Sequence, residues 1–333
     1  MNEKSLNVFV DFGSSKIRLG AYNNETSKNI FILERDCISN FSLKNFNIIN
    51  SNEIIKDLIK SAEKKINSHI KNINLMIDTP DMFSIDISIK KNSDNKQYSK
   101  NDIISLLNEA KSLVQKNYLN QKVIHMIVKK FVFDDEEFFE TPEKEINYSS
   151  LIIELKFICF SEKIWKNLQD SFSNNYLNIN NLYCSSYVRS SSYNSLFNDF
   201  KKKVILDIGY GKSAITVFQD NRILYFNILP VGGRHITNDI SVLLKIKLED
   251  AENLKKNLNQ SETTFENKIE KINQINSSDL SKQVIFARVD EIIKLNLADG
   301  YFNTFFQNKD NCILIFIGEG SKILNKNSIY LEE

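Results

Sequence analysis

Val204 to Phe218 reads VILDIGYGKSAITVF. Apolar residues lead to Asp207, then to glycines flanking Tyr210, and an alternating stretch returns through Ala214 and Val217. This is a buried strand, a glycine turn opened by an acid, and a second strand. The same pattern stands near the N-terminus, where Val8 to Tyr22 reads VFVDFGSSKIRLGAY. Laid together, Asp11 falls on Asp207, Gly13 on Gly209 and Lys16 on Lys212. A doubled strand–Asp–Gly–strand unit is what two related half-domains facing a common cleft leave in sequence.

Glycine usage strengthens the reading. The chain has 9 glycines in 333 residues, well below the average of about 7%. All but Gly20 and Gly300 sit in four short places: Gly13; Gly209 and Gly211; Gly232 and Gly233; Gly318 and Gly320. A chain so sparing keeps glycine where backbone turns at positive φ or approaches another group closely. Turns of this kind direct successive N–H groups into a concavity that suits anions, phosphate above all.

With both turns in view, the sequence resembles the actin-like ATPase superfamily, and within it the FtsA family of bacterial cell-division proteins. Leu229 to Ile240 (LPVGGRHITNDI), Ala251 to Lys256 (AENLKK) and Phe316 to Leu324 (FIGEGSKIL) are similar to that family's signature stretch, its AE-x-x-K helix and its adenosine motif. The resemblance implies an α/β, actin-like two-domain fold, a duplicated ribonuclease-H-like core with an FtsA-type inserted subdomain, shortened at its C-terminus. It implies subdomain 1A over 1–81 and 161–201, the insert 1C over 82–160, 2A over 202–237 and 301–333, and 2B over 238–300.

The periodicities agree with that order. Strands are expected at Leu6–Asp11, Ile30–Leu33 and Leu75–Asp78, with a helix from Glu53 to about Ile70 capped by Ser51. The insert reads as strand, helix, strand, strand over Met82–Phe160, with an acidic turn at Asp134–Glu140. Helices are expected over Leu182–Phe197, from an N-cap at Thr237, over Glu249–Leu258 and from Ser278, with a strand at Cys312–Ile317. Asn259 to Asn276 reads as a loop or frayed helix.

The resemblance also implies a site for ATP. Asp11 and Asp207 beside a triphosphate would repel it by about 1 to 4 kcal/mol per charge pair at 4 Å. Mg²⁺ removes the conflict, because it takes oxygen ligands and keeps waters that carboxylates can hold. Gly13, Ser14, Ser15, Lys16, Gly209, Tyr210, Gly211, Lys212 and Ser213 would meet the phosphates. Gly232 and Gly233, opening a helix, would form a second wall. Gly318, Glu319 and Gly320 would pass under the adenosine, and Glu252 and Lys255 would reach ribose and base. As bare residues, Glu252 and Lys255 read equally as an i,i+3 surface pair worth a few tenths of a kcal/mol. Tyr210 and Glu319 depart from the family pattern, each standing where a glycine is usual.

No nucleophile or base beyond the aspartates is evident, so at most slow ATP hydrolysis is expected from what is primarily a binding scaffold. The implied partners are the C-terminal peptide of the tubulin-like protein FtsZ, bound through Ile236–Gly300, other division proteins through the 82–160 insert, and further copies in filaments. Two other readings stay open: a type IV pilus assembly scaffold of the PilM kind, and an active phosphotransferase or chaperone ATPase of the same superfamily. A sugar kinase would need a catalytic Asp and a sugar pocket that the sequence does not display.

Composition is consistent with these readings. Hydrophobic residues make up 42% and charged residues 26%, as in soluble globular proteins. A net charge of +1 offers no field to gather nucleic acid. Cys37, Cys159, Cys184 and Cys312 lack paired spacing, and His69, His125 and His235 are scattered, which argues against disulfides and zinc. No apolar run reaches the roughly 18 residues of a membrane helix, and Asp11 interrupts the first apolar stretch, so there is no signal-peptide core. The cytoplasm is expected, at the inner face of the membrane where division occurs. Asn325 to Glu333 shows no amphipathic helix, so recruitment through a partner is expected rather than direct membrane binding.

Overall fold

The computed structural model describes residues 6–23, 25, 26, 28–37, 52–142, 147–258, 277–297 and 311–323. Ser51, the 259–276 segment and the tail beyond residue 323 lie outside them, and with them the cap, loop and tail expectations.

The two sequence copies become two sheets of matching topology. In the first, β1 (Leu6–Phe12), β2 (Lys16–Asn23), β3 (Asn29–Asp36), β4 (Asn72–Ile77) and β9 (Asn178–Cys184) are ordered β3-β2-β1-β4-β9. In the second, β10 (Lys202–Ile208), β11 (Ser213–Gln219), β12 (Arg222–Leu229) and β13 (Cys312–Ile317) are ordered β12-β11-β10-β13. β1 pairs antiparallel with β2 and parallel with β4, as β10 does with β11 and β13. Both aspartates stand one residue before the end of their strand, so the duplication holds at single-residue register.

Burial follows from the patterning. β1 alternates, turning Val8, Val10 and Phe12 inward. β10 is buried at Lys203 through Ile208 because it is covered on both faces, and so it reads as a continuous apolar run. The helix α1 (Asn52–Ile66) closes the first sheet with Ile55, Leu58, Ile59 and Ala62. The helices α5 (Gly233–Leu244), α6 (Leu248–Leu258) and α7 (Ser277–Leu297) cover the second, bringing Ile236, Ile240, Ala251, Val289 and Ile292 onto Val204, Leu206 and Ile208.

The insert forms a third sheet, ordered β5-β8-β6-β7 from β5 (Phe83–Gln97), β6 (Gln121–Phe133), β7 (Glu136–Phe138) and β8 (Asn147–Ser161). The helix α2 (Lys100–Asn117) lies on it through Ile103, Leu106, Ala110 and Val114. Ser99 caps this helix in a reciprocal box with Asp102. Within the expected acidic turn Glu136–Phe138 form β7, paired with β6, and Phe139 just after it lies 3.3 Å from the Arg222 guanidinium of β12 and so ties the insert to the second sheet. Trp165 of α3 (Glu162–Ser173) is core packing, as its apolar helical face suggests.

Two expectations are corrected. Leu182 to Cys184 is not the start of a helix. These residues finish β9, paired parallel with β4, and α4 spans Ser185–Leu196. Thr237 is not an N-cap. The cap is Gly232, and Thr237 lies a turn inside α5, giving its hydroxyl to the Gly233 carbonyl at 3.1 Å.

Candidate functional site

Three carboxylates converge at the strand ends, on one guanidinium. Arg189, from α4, stands 2.8 Å from Asp207 Oδ2, 3.7 Å from Asp78 Oδ2 and 3.9 Å from Asp11 Oδ2. Asp78 follows β4. It accepts from the Ser186 amide at 3.0 Å and the Ser186 hydroxyl at 2.7 Å, with Cys184 Sγ 3.2 Å away. Asp11 accepts from the Ser185 hydroxyl at 2.8 Å. Lys212 Nζ donates to the Asp78 carbonyl and lies 3.7 Å from its carboxylate.

The two buried acids differ in electrostatic state. Burial alone would push Asp78 up, but Lys212, Arg189 and the Ser186 bonds outweigh it and hold the carboxyl below its ordinary value. Burial raises Asp207, and the neighbouring Asp78 charge adds to this despite Arg189. Neither carboxylate oxygen of Asp207, nor Nε of Arg189, has a hydrogen-bond partner of good geometry.

The glycine turns meet each other. Ser14 Oγ accepts from the Gly211 amide at 3.0 Å, joining the first turn to the second. The Gly233 amide donates to Gly209 O at 2.9 Å and that of Arg234 to Tyr210 O at 2.6 Å. The first N–H groups of α5 are therefore given to the 209–212 turn, where the sequence suggested an open wall. A side chain at Gly232 would put its Cβ 2.6 Å from Gly209 O. Gly318 has φ +89, and a Cβ there would meet Asp207 Oδ1 at 2.5 Å. Gly320 packs on Ile208 and Gly209.

Other expected residues divide. Gly13 and Gly209 each give their amide to a lysine carbonyl three residues on, Lys16 at 3.0 Å and Lys212 at 2.8 Å. The Ser15 carbonyl takes the Cys37 amide at 2.8 Å. Lys16 Nζ pairs with Glu34 at 2.7 Å, and Ser213 Oγ accepts from Asn296 of α7 at 2.9 Å; neither is brought to Arg189. Glu319 pairs with Lys322 at 2.7 Å and with Arg18 at 3.5 Å, and those cations lower its pKa, Lys322 foremost. Lys255 Nζ reaches Glu252 at 2.6 Å, Thr237 Oγ1 at 2.7 Å and Gly233 O at 3.0 Å, with the Tyr210 ring 5.6 Å away. Lys255 is only 6% exposed, so this is a buried network and not a surface pair.

Asp78 and Arg189 are the residues sequence reasoning missed. The signal for Asp78 was present: LMID repeats the apolar-run-then-Asp ending of VFVD and VILD. Arg189 is the lone cation in a serine-rich stretch, SSYVRSSSY.

The residues fit a polyphosphate with its metal in part. A buried acid without aligned hydrogen bonds suits a cation, whereas the amides of Gly13, Gly209, Gly211, Gly233 and Arg234 already have protein acceptors. Among the described residues, no three His, Cys, Asp or Glu side chains stand close enough to hold an ion by themselves.

Paired β-β-β sheets whose acidic strand ends face one another define an actin-like ATPase fold. The chain superposes on the PilM-PilN type IV pilus biogenesis complex with TM-score 0.67 at 11% identity, covering 97% of this chain and 84% of that one. The ethanolamine utilization protein EutJ from Carboxydothermus hydrogenoformans gives 0.50 at 13% identity, covering 95% and 77%. Within this class the chain resembles FtsA. The family model "Cell division protein FtsA" matches residues 204–325. Cell division protein FtsA of Bacillus subtilis is 24% identical, over 89% of this chain and 69% of that protein. Those of Streptococcus pneumoniae (22%) and Buchnera aphidicola (25%) match 72% and 73% of this chain but 54% and 59% of their own length. The chain thus spans between about half and two-thirds of these relatives.

Proposed function

We propose that the chain is a nucleotide-binding, actin-like scaffold of bacterial cell division. The observation that carries the nucleotide part is the convergence of Asp11 and Asp207, from matched positions in two sheets, on one cation, with Ser14 and Gly211 joining the turns beside them. The likeness to FtsA relatives supports the division role.

In this reading Asp11 and Asp207, with Asp78 behind them, face Mg²⁺. Ser14, Ser15, Gly211 and Lys212 meet the phosphates. Gly318, Glu319 and Gly320 pass under the adenosine, with Glu252 and Lys255 behind the Gly233 wall. When bound, Mg²⁺ supplies charge neutralisation between the aspartates and the polyphosphate. The chain's own residues bind and orient, and at most slow ATP hydrolysis belongs to this reading. The division of the chain at residues 82, 161, 202 and 238 is part of the same reading, as are contacts of the insert with other division proteins, assembly into filaments and a place at the inner face of the membrane. Among the described residues, no helix is long and apolar enough to cross a membrane.

The test is binding of the FtsZ C-terminal peptide, read by fluorescence anisotropy. Saturable binding that is lost on substitution within Ile236–Gly300 is expected. Its absence, with binding of a pilus membrane-protein tail instead, would move the chain to the pilus reading, for which an 11% identical fold match is the present support.

A further inference from the structure

We propose that Arg189 is the resident cation of the cleft: its guanidinium offsets charge on Asp11, Asp78 and Asp207 in the place a hydrated divalent ion would take, and a metal-bound polyphosphate must displace it. The displacement half rests on the nucleotide-site reading; the metal-substitute half does not.

Three carboxylates from two sheets meet here, and Asp78 and Asp207 are 1% and 2% exposed. Carboxylates that share one guanidinium in a cleft where water is largely excluded repel by on the order of a few kcal/mol. The cations that reach them are Lys212, Arg18 and Arg189. Lys212 is committed to Asp78. Arg18 lies 3.7 Å from Asp11 but shares itself with Glu34 at 3.3 Å and Glu319 at 3.5 Å. Arg189 alone among them touches all three acids. A guanidinium keeps its charge when buried, and its planar fork spans several oxygens.

The contact is suited to exchange. Arg189 and Asp207 are 2.8 Å apart, yet Nε and both Asp207 oxygens lack well-aligned hydrogen bonds, so charge more than directional bonding holds the pair. The Arg189 side chain is 36% exposed whereas that of Asp207 is 2% exposed, so the arginine enters from the solvent side. Its neighbours on α4, Ser186 and Ser190, are small. It can leave without unpacking the core.

The test is thermal unfolding of the full chain and Arg189→Gln, each in chelator, then with MgCl₂ alone, then with MgCl₂ and ATP. Wild type is expected to unfold at the same temperature with and without Mg²⁺. Arg189→Gln is expected to lose several degrees in chelator and regain them with Mg²⁺, with divalent-ion affinity raised at least about tenfold, a change worth about 1.4 kcal/mol. A variant that responds to Mg²⁺ no more than wild type overturns the proposal. If Arg189→Gln fails to fold in either condition, Arg189→Lys carries the test: its shorter reach should leave a partial Mg²⁺ response, and none overturns the proposal. The metal-alone arm separates the two readings. A Mg²⁺ response in Arg189→Gln with no ATP binding by either protein sinks the nucleotide reading and leaves Arg189 as the metal substitute. ATP binding by both without a gained metal response does the reverse.

Discussion

Ser14 Oγ, in the first glycine turn, accepts a hydrogen bond of 3.0 Å from the Gly211 amide in the second, across 197 residues of chain. Both groups are buried. With the Lys212 contact to the Asp78 carbonyl and the Arg189–Asp207 pair, this bond ties the two halves of the duplicated unit at the place where their acids converge. Ser14→Ala leaves the Gly211 amide without its acceptor. A loss of about 1 to 3 kcal/mol is expected in urea unfolding. A change below about 0.5 kcal/mol would show that the turns do not depend on this bond.

Gly318 and Gly20 make a contrast. At Gly318 φ is +89 and an added Cβ meets the Ile208 backbone and Asp207; at Gly20 it meets only the far end of the Tyr22 ring, at 3.0 Å. Gly318→Ala should cost about 2 kcal/mol or more, since left-handed strain and backbone collision add. Gly20→Ala should cost under about 1 kcal/mol, because a side chain can give way. Equal midpoints for the two variants would count against the Gly318 geometry.

The Glu252–Lys255 network decides between a surface pair and a buried one. Lys255→Met leaves Glu252 with the Thr237 hydroxyl at 2.5 Å and, as its ion-pair partner, Lys256 at 3.6 Å and largely exposed. A destabilisation of about 3 kcal/mol is expected. A few tenths would restore the surface reading.

His125 provides a pH test. Its Nε2 accepts the Cys184 amide at 2.9 Å, between the insert and the first sheet, and burial lowers its pKa to about 4 against a modest opposing pull from Asp78. The unfolded chain binds this proton at about 6.5, so between the two values it holds more protons than the folded one. Stability is therefore full above pH 6.5 and falls as pH drops towards 4, by up to about 3 kcal/mol at 1.36 kcal/mol per pKa unit. Asp207, raised by burial, acts with the opposite sign as pH falls through its raised value. Denaturation of wild type and His125→Gln from pH 7.5 to 4.5 isolates the effect. Parallel curves would mean that His125 does not carry it.

The duplicated hairpins were legible because their strands carry strong apolar patterning and their turns hold most of the chain's few glycines. The insert was legible because Phe83, Ile85, Ile87 and Ile89 alternate and α2 has a clear helical stripe. What escaped was set by distant contacts. Leu182–Cys184 lacks its own strand pattern and becomes one by pairing with β4. Thr237 is a good cap by residue type, but the turn carbonyls of Gly209 and Tyr210 take the α5 amides four residues earlier. Lys16 and Ser213 share the turns with Ser14 and Gly211, and their pairing with Glu34 and Asn296 is visible only in the fold. Asp78 has no glycine after it, so its likeness to Asp11 and Asp207 is visible only once the three strand ends are seen together.

Calorimetric titration of MgATP into wild type and Gly209→Val bears most directly on the phosphate turns. A Cβ at Gly209 would stand 3.1 Å from Lys212 O, inside the second turn but outside the core. Saturable binding by wild type, weakened at least about tenfold in a Gly209→Val protein with an unchanged circular dichroism spectrum, is the expected result. Equal affinity in the two proteins, or no binding by wild type, would contradict the assignment of these turns to a nucleotide.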